Sequence, residues 1–237
     1  MHRFFIAQDQ IPVITGSDVH HIKDVLRLNV GDQLELLDGT GKIYSAKISK
    51  IKKDKIVCQI LSSGAREVEP GLKVTLAQCL PKARKMDLII QKCTELGVHQ
   101  IVPTLSERSI ARGEKLTRWR KIAREAAEQS GRSVIPEIFS LSSFEDVIKM
   151  NGQFDLKLIP WELEKENTLK NILATGRPAD RKTGRLLILI GPEGGFSQKE
   201  IESARSAGFI PISLGPRILR AETAGMAILS MINYEYS

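Results

Sequence analysis

Cysteine is scarce in this chain: Cys58, Cys79 and Cys93 are odd in number, widely spaced and form no C-x-x-C pair. That pattern excludes a disulfide framework and a zinc-ribbon spacing, and it suits buried thiols in a reducing compartment. The four histidines do not cluster with them, so no metal site is expected. No apolar run approaches the roughly 20 residues that a membrane span needs. The opening MHRFFIAQDQIPV lacks a basic stretch followed by a long apolar one, so no signal peptide is read and a cytoplasmic location is expected. Neither G-x-G-x-x-G nor G-x-x-x-x-G-K-[ST] occurs, which removes the dinucleotide and P-loop fingerprints. Aromatic residues make up only 5%, too few for recognition of a nucleic acid by extensive base stacking.

What is present describes an ordinary globular chain of 237 residues, 42% hydrophobic and 27% charged. The net charge is +7, and it is unevenly spread. Residues 1–70 carry 10 Lys/Arg against 9 Asp/Glu, whereas residues 108–132 carry eight (Arg108, Arg112, Lys115, Arg118, Arg120, Lys121, Arg124, Arg132) against three. A concentrated basic stretch favours a polyanionic partner, but charge alone leaves a solvated helix face equally open.

The first 70 residues read mainly as β: RFFI, QLELLD, KIYSAKISKI and KIVCQIL alternate or are rich in Ile and Val. One helix interrupts, with Ser17 or Asp18 as cap and Val19, Ile22, Val25 and Leu26 at helical spacing. SSGAREVEPG at 62–71 reads as a linker, which predicts a small β-barrel-like domain over 1–70 and a second domain over 71–237. In the second part, apolar strand candidates at 73–80, 99–103, 134–138, 154–159, 186–190 and 209–214 alternate with helices at 84–96, 115–130, 143–150, 167–174, 198–207 and 221–235. That alternation predicts an α/β domain with a mostly parallel sheet covered on both faces. TGRPADRKTGR at 175–185 reads as an exposed, mobile loop.

Two loops stand out. In IGPEGGFSQKE (190–200), Ser197 and Glu200 form a capping box, with Phe196 and Ile201 at the positions of a hydrophobic staple. SLGPRILRAETAG (213–225) likewise follows an apolar strand and opens a helix. Such loops lie beyond the carboxyl ends of strands, where open α/β sheets bind ligands. With no phosphate-binding lysine or second fingerprint glycine, a nucleoside-like ligand without a phosphate chain fits best, and S-adenosylmethionine is the obvious member of that class. A tight turn with no ligand is the competing reading of GPEGG alone.

Together these two stretches resemble the paired signatures of the SPOUT methyltransferases, specifically the RsmE-type family, which methylates N3 of a uridine in small-subunit (16S) ribosomal RNA. HRFF, PKARKMDLIIQKCTELGVHQIVP, SERS and RWRKIAREAAEQSGRSVIP match as well, so the resemblance covers nearly the whole chain. It implies a PUA-like barrel followed by an α/β domain with a C-terminal deep trefoil knot. It also implies S-adenosylmethionine as cofactor and a homodimer with its active site near the interface. Carried over, the cofactor loops are Pro160-Trp161-Glu162, Ile190-Gly191-Pro192 with Gly194-Gly195, and Leu214, Gly215, Ile218 and Leu219, with Thr223 beyond. Arg220 is the candidate stabiliser of the uracil anion; Glu193 and Glu222 are candidate bases or cofactor-positioning groups. Arg3, Lys82, Arg84, Lys85, Arg108, Arg124, Gln129 and Arg132 are candidate RNA contacts. The final helix serves either as interface or as core, Gln129 either contacts RNA or sits in a capped turn before Gly131, and Arg220 either acts on substrate or pairs with Glu222. A non-catalytic RNA-binding or ribosome-assembly protein on the same fold is the alternative reading.

Overall fold

A computed structural model describes residues 1–65, 68–110, 113–150, 154–175 and 184–236. The expected mobile loop at 175–185 therefore lies almost wholly outside the described residues. The chain divides into two compact units, Met1–Glu69 with Ala127–Ile135, and Pro70–Ala126 with Pro136–Ser237.

The first unit is a five-stranded sheet of β1 (His2–Phe5), β2 (Val13–Thr15), β3 (Gln33–Leu37), β4 (Lys42–Ile51) and β5 (Lys55–Ala65), in the order β1-β3-β4-β5-β2. β1 runs parallel to β3 and the remaining pairs are antiparallel. Alternation buries Phe4, Leu34, Leu36, Ala46, Ile48 and Ile56 on one side. Register shifts in the β4–β5 pair, at Ser45/Ala46 and Ile48/Lys50, are the kind of irregularity that bends a strand. β2 has only three residues and shows too little alternation to stand out in the sequence. The helix α1 (Ser17–His20) is entered through Gly16 at φ 71, so neither Ser17 nor Asp18 caps it. It widens into a π-helical turn over His21–Val25. Ile22 stays buried, but the wider turn rotates Val25 off the apolar face, leaving it 62% exposed.

Residues 127–135, the last turn of the helix Leu116–Ser130 and the segment after it, belong to this unit and not to the contiguous second domain that the pattern suggests. Ala127 and Ile135 pack with Phe5, Leu37 and Ile43. Glu69 holds the segment by polar contacts: it accepts from Arg132 Nε at 3.0 Å and Nη2 at 2.6 Å, from Ser133 N at 2.9 Å and from Val134 N at 3.2 Å. Arg132 is only 6% exposed, so this guanidinium is an internal structural partner of Glu69 with little surface to offer an RNA phosphate. Gly131, at φ 78, ends the helix; an added Cβ would stand 3.0 Å from Arg3 Nη1. Arg3 in turn donates to Glu35 at 2.9 Å.

The second unit is a parallel sheet of β6 (Lys73–Cys79), β7 (Gln100–Leu105), β8 (Glu137–Ile138), β10 (Leu156–Pro160), β11 (Arg185–Ile190) and β12 (Ile210–Ile212), ordered β12-β10-β11-β6-β7-β8. A two-residue strand, β9 (Ser142–Ser143), adds to β7. The helices are α2 (Lys85–Glu95), α3 (Leu116–Ser130, as far as Ala126), α4 (Phe144–Ile148), α5 (Leu169–Thr175), α6 (Gln198–Ser206) and α7 (Ala221–Tyr236). Residues of α4 and α6 cover one face, over Ala77, Cys79, Leu187 and Leu189. On β6 and β11 lies α7, which also packs on α2. Its apolar stripe (Ala224, Ile228, Leu229, Ile232) is buried within the chain. At Gly225 the helix approaches so closely that a Cβ would be 3.3 Å from Gln78 Oε1.

The Glu69–Arg132 pair yields a stability test. Glu69→Ala removes the carboxylate that takes Arg132 and two backbone amides, and loss of one member of such a half-buried ion pair costs about 3 kcal/mol. Urea denaturation is expected to show that loss, and a smaller one for Glu69→Gln, which keeps an acceptor.

Candidate active site

β10, β11 and β12 are neighbours in a parallel sheet, so their carboxyl-terminal loops emerge side by side. The loop after β11 is shaped by its own chemistry. Gly195 N donates to Pro192 O at 3.0 Å, closing a turn with Gly195 at φ 66. Ser197 then caps α6: its Oγ accepts from Glu200 N at 3.3 Å, and its N donates to Glu200 Oε2 at 2.9 Å. This is the reciprocal capping box expected from the sequence, and the staple residues Phe196 and Ile201 are both buried in one cluster. Phe196 also lies flat enough against the turn that a Cβ on Gly191 would meet its ring at 3.1 Å. A Cβ on Gly195 would stand 2.6 Å from Glu162 Oε1, so the β10 loop closes directly onto the glycine turn.

The loop after β12 turns at Gly215, φ 118, whose N donates to Ser213 Oγ at 3.3 Å. It ends where Arg220 O receives the Thr223 and Ala224 amides, both at 2.9 Å, at the start of α7. Between the three loops is a cleft of about 710 Å³ including its open mouth. Every cofactor residue expected from the resemblance lines it except two. Gly194 faces Arg108 instead, and Thr223 is exposed on α7. Phe196, Ser213, Pro216, Arg217, Ala221 and Ala224 also line the cleft. They sit inside the two quoted motifs, so adjacency was the only signal for them. Ile218 lines the cleft while 84% exposed, at its rim.

The two carboxylates named as candidate bases converge, but on a lysine. Lys85 Nζ is 3.0 Å from Glu193 Oε1 and 3.2 Å from Glu222 Oε2. Glu193 also accepts from Lys82 N at 3.0 Å. Partial burial raises the Glu193 carboxyl, yet the Lys85 ammonium and the neighbouring amides outweigh it and hold the group below the ordinary carboxylate range. Those same two carboxylates, Glu193 first, push the Lys85 ammonium upward. Arg220 is exposed and, among the described residues, pairs with neither carboxylate. Nothing in the sequence signals this convergence, because Lys85 is 108 residues from Glu193.

Of the other candidate RNA contacts, Lys82, Arg84 and Gln129 are exposed and Arg124 is half-buried. Arg108 donates from Nη1 to Gly194 O at 2.9 Å. The three thiols are unsuited to nucleophilic work: burial pushes Cys58 up to about 11 and Cys79 and Cys93 up to about 12.

Comparison with known proteins identifies the frame. Residues 68–233 match the model of an RNA methyltransferase domain, and residues 14–61 that of an RNA methyltransferase PUA domain. The chain is 35% identical over 248 residues to the ribosomal RNA small subunit methyltransferase E of Bacillus subtilis, covering 99% of this chain and 97% of that protein. It superposes with a TM-score of 0.88 on the crystal structure of a ribosomal RNA small subunit methyltransferase E from Neisseria gonorrhoeae bound to S-adenosyl methionine. That pair shares 31% identity over 99% of this chain and 98% of the other. A Legionella pneumophila protein in complex with bound cofactor SAM gives 0.87 at 32% identity, over 99% and 98%. Likeness of this extent, over nearly the whole chain and both family models, means that the chain belongs to the ribosomal RNA small subunit methyltransferase E family.

Proposed function

We propose that the protein transfers a methyl group from S-adenosylmethionine to N3 of a uridine in 16S ribosomal RNA, in the cytoplasm. The observation that carries this reading is the cleft at the ends of β10, β11 and β12, in a chain of this family. Its chemistry suits a nucleoside sulfonium. Among the described residues the lining mixes apolar side chains (Pro160, Ile190, Pro192, Leu214, Leu219) with one carboxylate, Glu162, and one guanidinium, Arg217, beside bare backbone at Gly191 and Gly195, and it contains no lysine. Backbone amides there read nucleoside edges, and an apolar wall accepts a flat base. Bound S-adenosylmethionine supplies the methyl from its sulfonium, and N3 gains it as the N3–H proton is lost.

This chain's residues then have distinct tasks. Arg220 lies between two cleft-lining residues, Leu219 and Ala221, and its exposed guanidinium is the cation we assign to a uracil carbonyl, beside Arg217 in the cleft wall. A donor there lowers the cost of the anion that N3 must become. Holding N3 in line with the methyl supplies much of the remaining rate. Glu193, held ionised by Lys85 and the Lys82 amide, is a poor proton acceptor at neutral pH. Lys82, Arg84, Arg124 and Gln129 meet RNA backbone, and the target base leaves its stack to enter the site.

The same reading includes a SPOUT-type deep trefoil knot formed by the β11 and β12 loops; the placement of β11 between β10 and β6 supports it. It also includes a homodimer, supported by the exposed Leu88, Met231 and Tyr234 on the packed helices α2 and α7.

Four measurements test these assignments. Calorimetry is expected to detect S-adenosylmethionine binding to the folded protein, and its absence removes the cofactor. Gly195→Ala is expected to weaken that binding and to cost about 1–2 kcal/mol of stability, since its Cβ meets Glu162 and its φ is left-handed. Arg220→Ala is expected to lower turnover about 100-fold with cofactor affinity nearly unchanged; normal turnover excludes it as the anion stabiliser. Mass mapping of ribosomal RNA nucleosides from cells lacking the gene is expected to show loss of one N3-methyluridine.

A further inference from the structure

The glycine turn is gripped from outside at two consecutive residues, and both grips involve basic side chains, Lys85 and Arg108, whose charge by itself suggests RNA contacts. At Glu193, the carboxylate takes Lys85 Nζ at 3.0 Å and the Lys82 amide at 3.0 Å. At Gly194, the carbonyl takes Arg108 Nη1 at 2.9 Å. Pro192 and Gly195, on either side of this pair, line the cleft.

Neither grip is an isolated surface contact. Lys85 opens α2 and simultaneously meets Glu222, one residue after the cleft-lining Ala221, at 3.2 Å. One ammonium therefore ties the β11 loop to the start of α7, which carries the opposite wall. The turn that presents the Lys82 amide passes through Ala83 at φ 59, a conformation uncommon for a residue with a Cβ and maintained only where its surroundings hold it. Arg108 is anchored in the same manner. Its neighbour Glu107 donates from N to Glu200 Oε1 at 2.8 Å and receives Ser197 Oγ at 2.8 Å. The turn at 106–109 is thus bonded to the N-terminus of α6, immediately after the glycines. The carbonyl and carboxylate partners lie 86 to 137 residues away in sequence, so these contacts are tertiary braces.

We infer that Lys85 and Arg108 are positioning residues for the methyl-donor cleft, holding the Gly191–Gly195 loop in its binding shape, and are not phosphate contacts. This rests on the cofactor reading above. An ammonium already shared by two carboxylates leaves no charge in excess for a phosphate; the local sum over Lys85, Glu193 and Glu222 is negative. The cost of ordering a loop on binding is lowest when the loop is held beforehand, so loss of a brace appears as weaker cofactor binding even without RNA.

The test uses the full chain with Lys85→Met and Arg108→Met, and S-adenosylmethionine titrated calorimetrically in the absence of RNA. Both variants are expected to raise Kd about tenfold, and Lys85→Arg and Arg108→Lys to recover part of it. In parallel, binding of a 16S ribosomal RNA fragment is followed against salt concentration. A phosphate contact contributes about 0.7–0.9 to the slope of log K against log salt, and here the slopes are expected to match the wild type. Unchanged cofactor affinity overturns the inference, and so does a shallower slope in either Met variant. Wild-type protein that binds no S-adenosylmethionine sinks the cofactor reading itself, a separate outcome. Should Lys85→Met fail to fold by near-ultraviolet circular dichroism, Glu193→Gln removes the same ion pair while keeping an acceptor for the Lys82 amide. It is expected to weaken cofactor binding likewise, and unaltered binding there also overturns the inference.

Discussion

Everything at the cleft depends on where one strand lies. β11, buried along Leu186–Ile190, runs between β10 and β6, with β12 beyond β10. Parallel pairing then sends the ends of β10, β11 and β12 to the same edge of the sheet, and three loops that are distant in sequence become neighbours. Parallel strands are covered on both faces, which explains why the strand is an unbroken apolar run. The strand holds the glycine turn at its start and the capping box at Ser197 and Glu200 ties its end to α6, so the turn is fixed at both ends before any ligand arrives.

A second constraint is electrostatic and is divided by burial. The chain is basic, but its cations do different work according to what surrounds them. Arg132 is enclosed with Glu69 and secures a segment of the first unit. Lys85 sits between two carboxylates beside the cleft. Lys82 and Arg84 have exposed side chains and fit a polyanion. Arg220 is exposed and among the described residues paired with neither carboxylate, which leaves it open to the role proposed for it above. Net charge predicts the class of partner; it does not sort these residues, because sorting depends on neighbours and not on residue type.

Local signals were highly legible. The alternation of strands and helices beyond residue 70, the apolar run of β11, the capping box at Ser197 and the helix stop at Gly131 are all decided within a few residues of sequence, by hydrogen bonds and periodicity that tertiary packing then reinforces. Short elements were not: β2 and β9, of three and two residues, carry too little pattern, and the π-helical widening at His21–Val25 looks like an ordinary helix in residue spacing. The attachment of residues 127–135 to the first unit was equally invisible, since it rests on Glu69 and on Ala127 meeting Phe5 and Leu37 across long stretches of chain.

The sequence by itself determined the α/β class, the two glycine-proline loops and the family to which they belong, because motifs of that length are read locally and in order. Only the tertiary structure decided which side chains meet. It made Arg132 a buried partner of Glu69, gathered Glu193 and Glu222 around Lys85, and set Arg108 on the Gly194 carbonyl. Those pairings span 63 to 137 residues, and a charged side chain takes its role from whatever lies within about 3 Å of it in the folded chain.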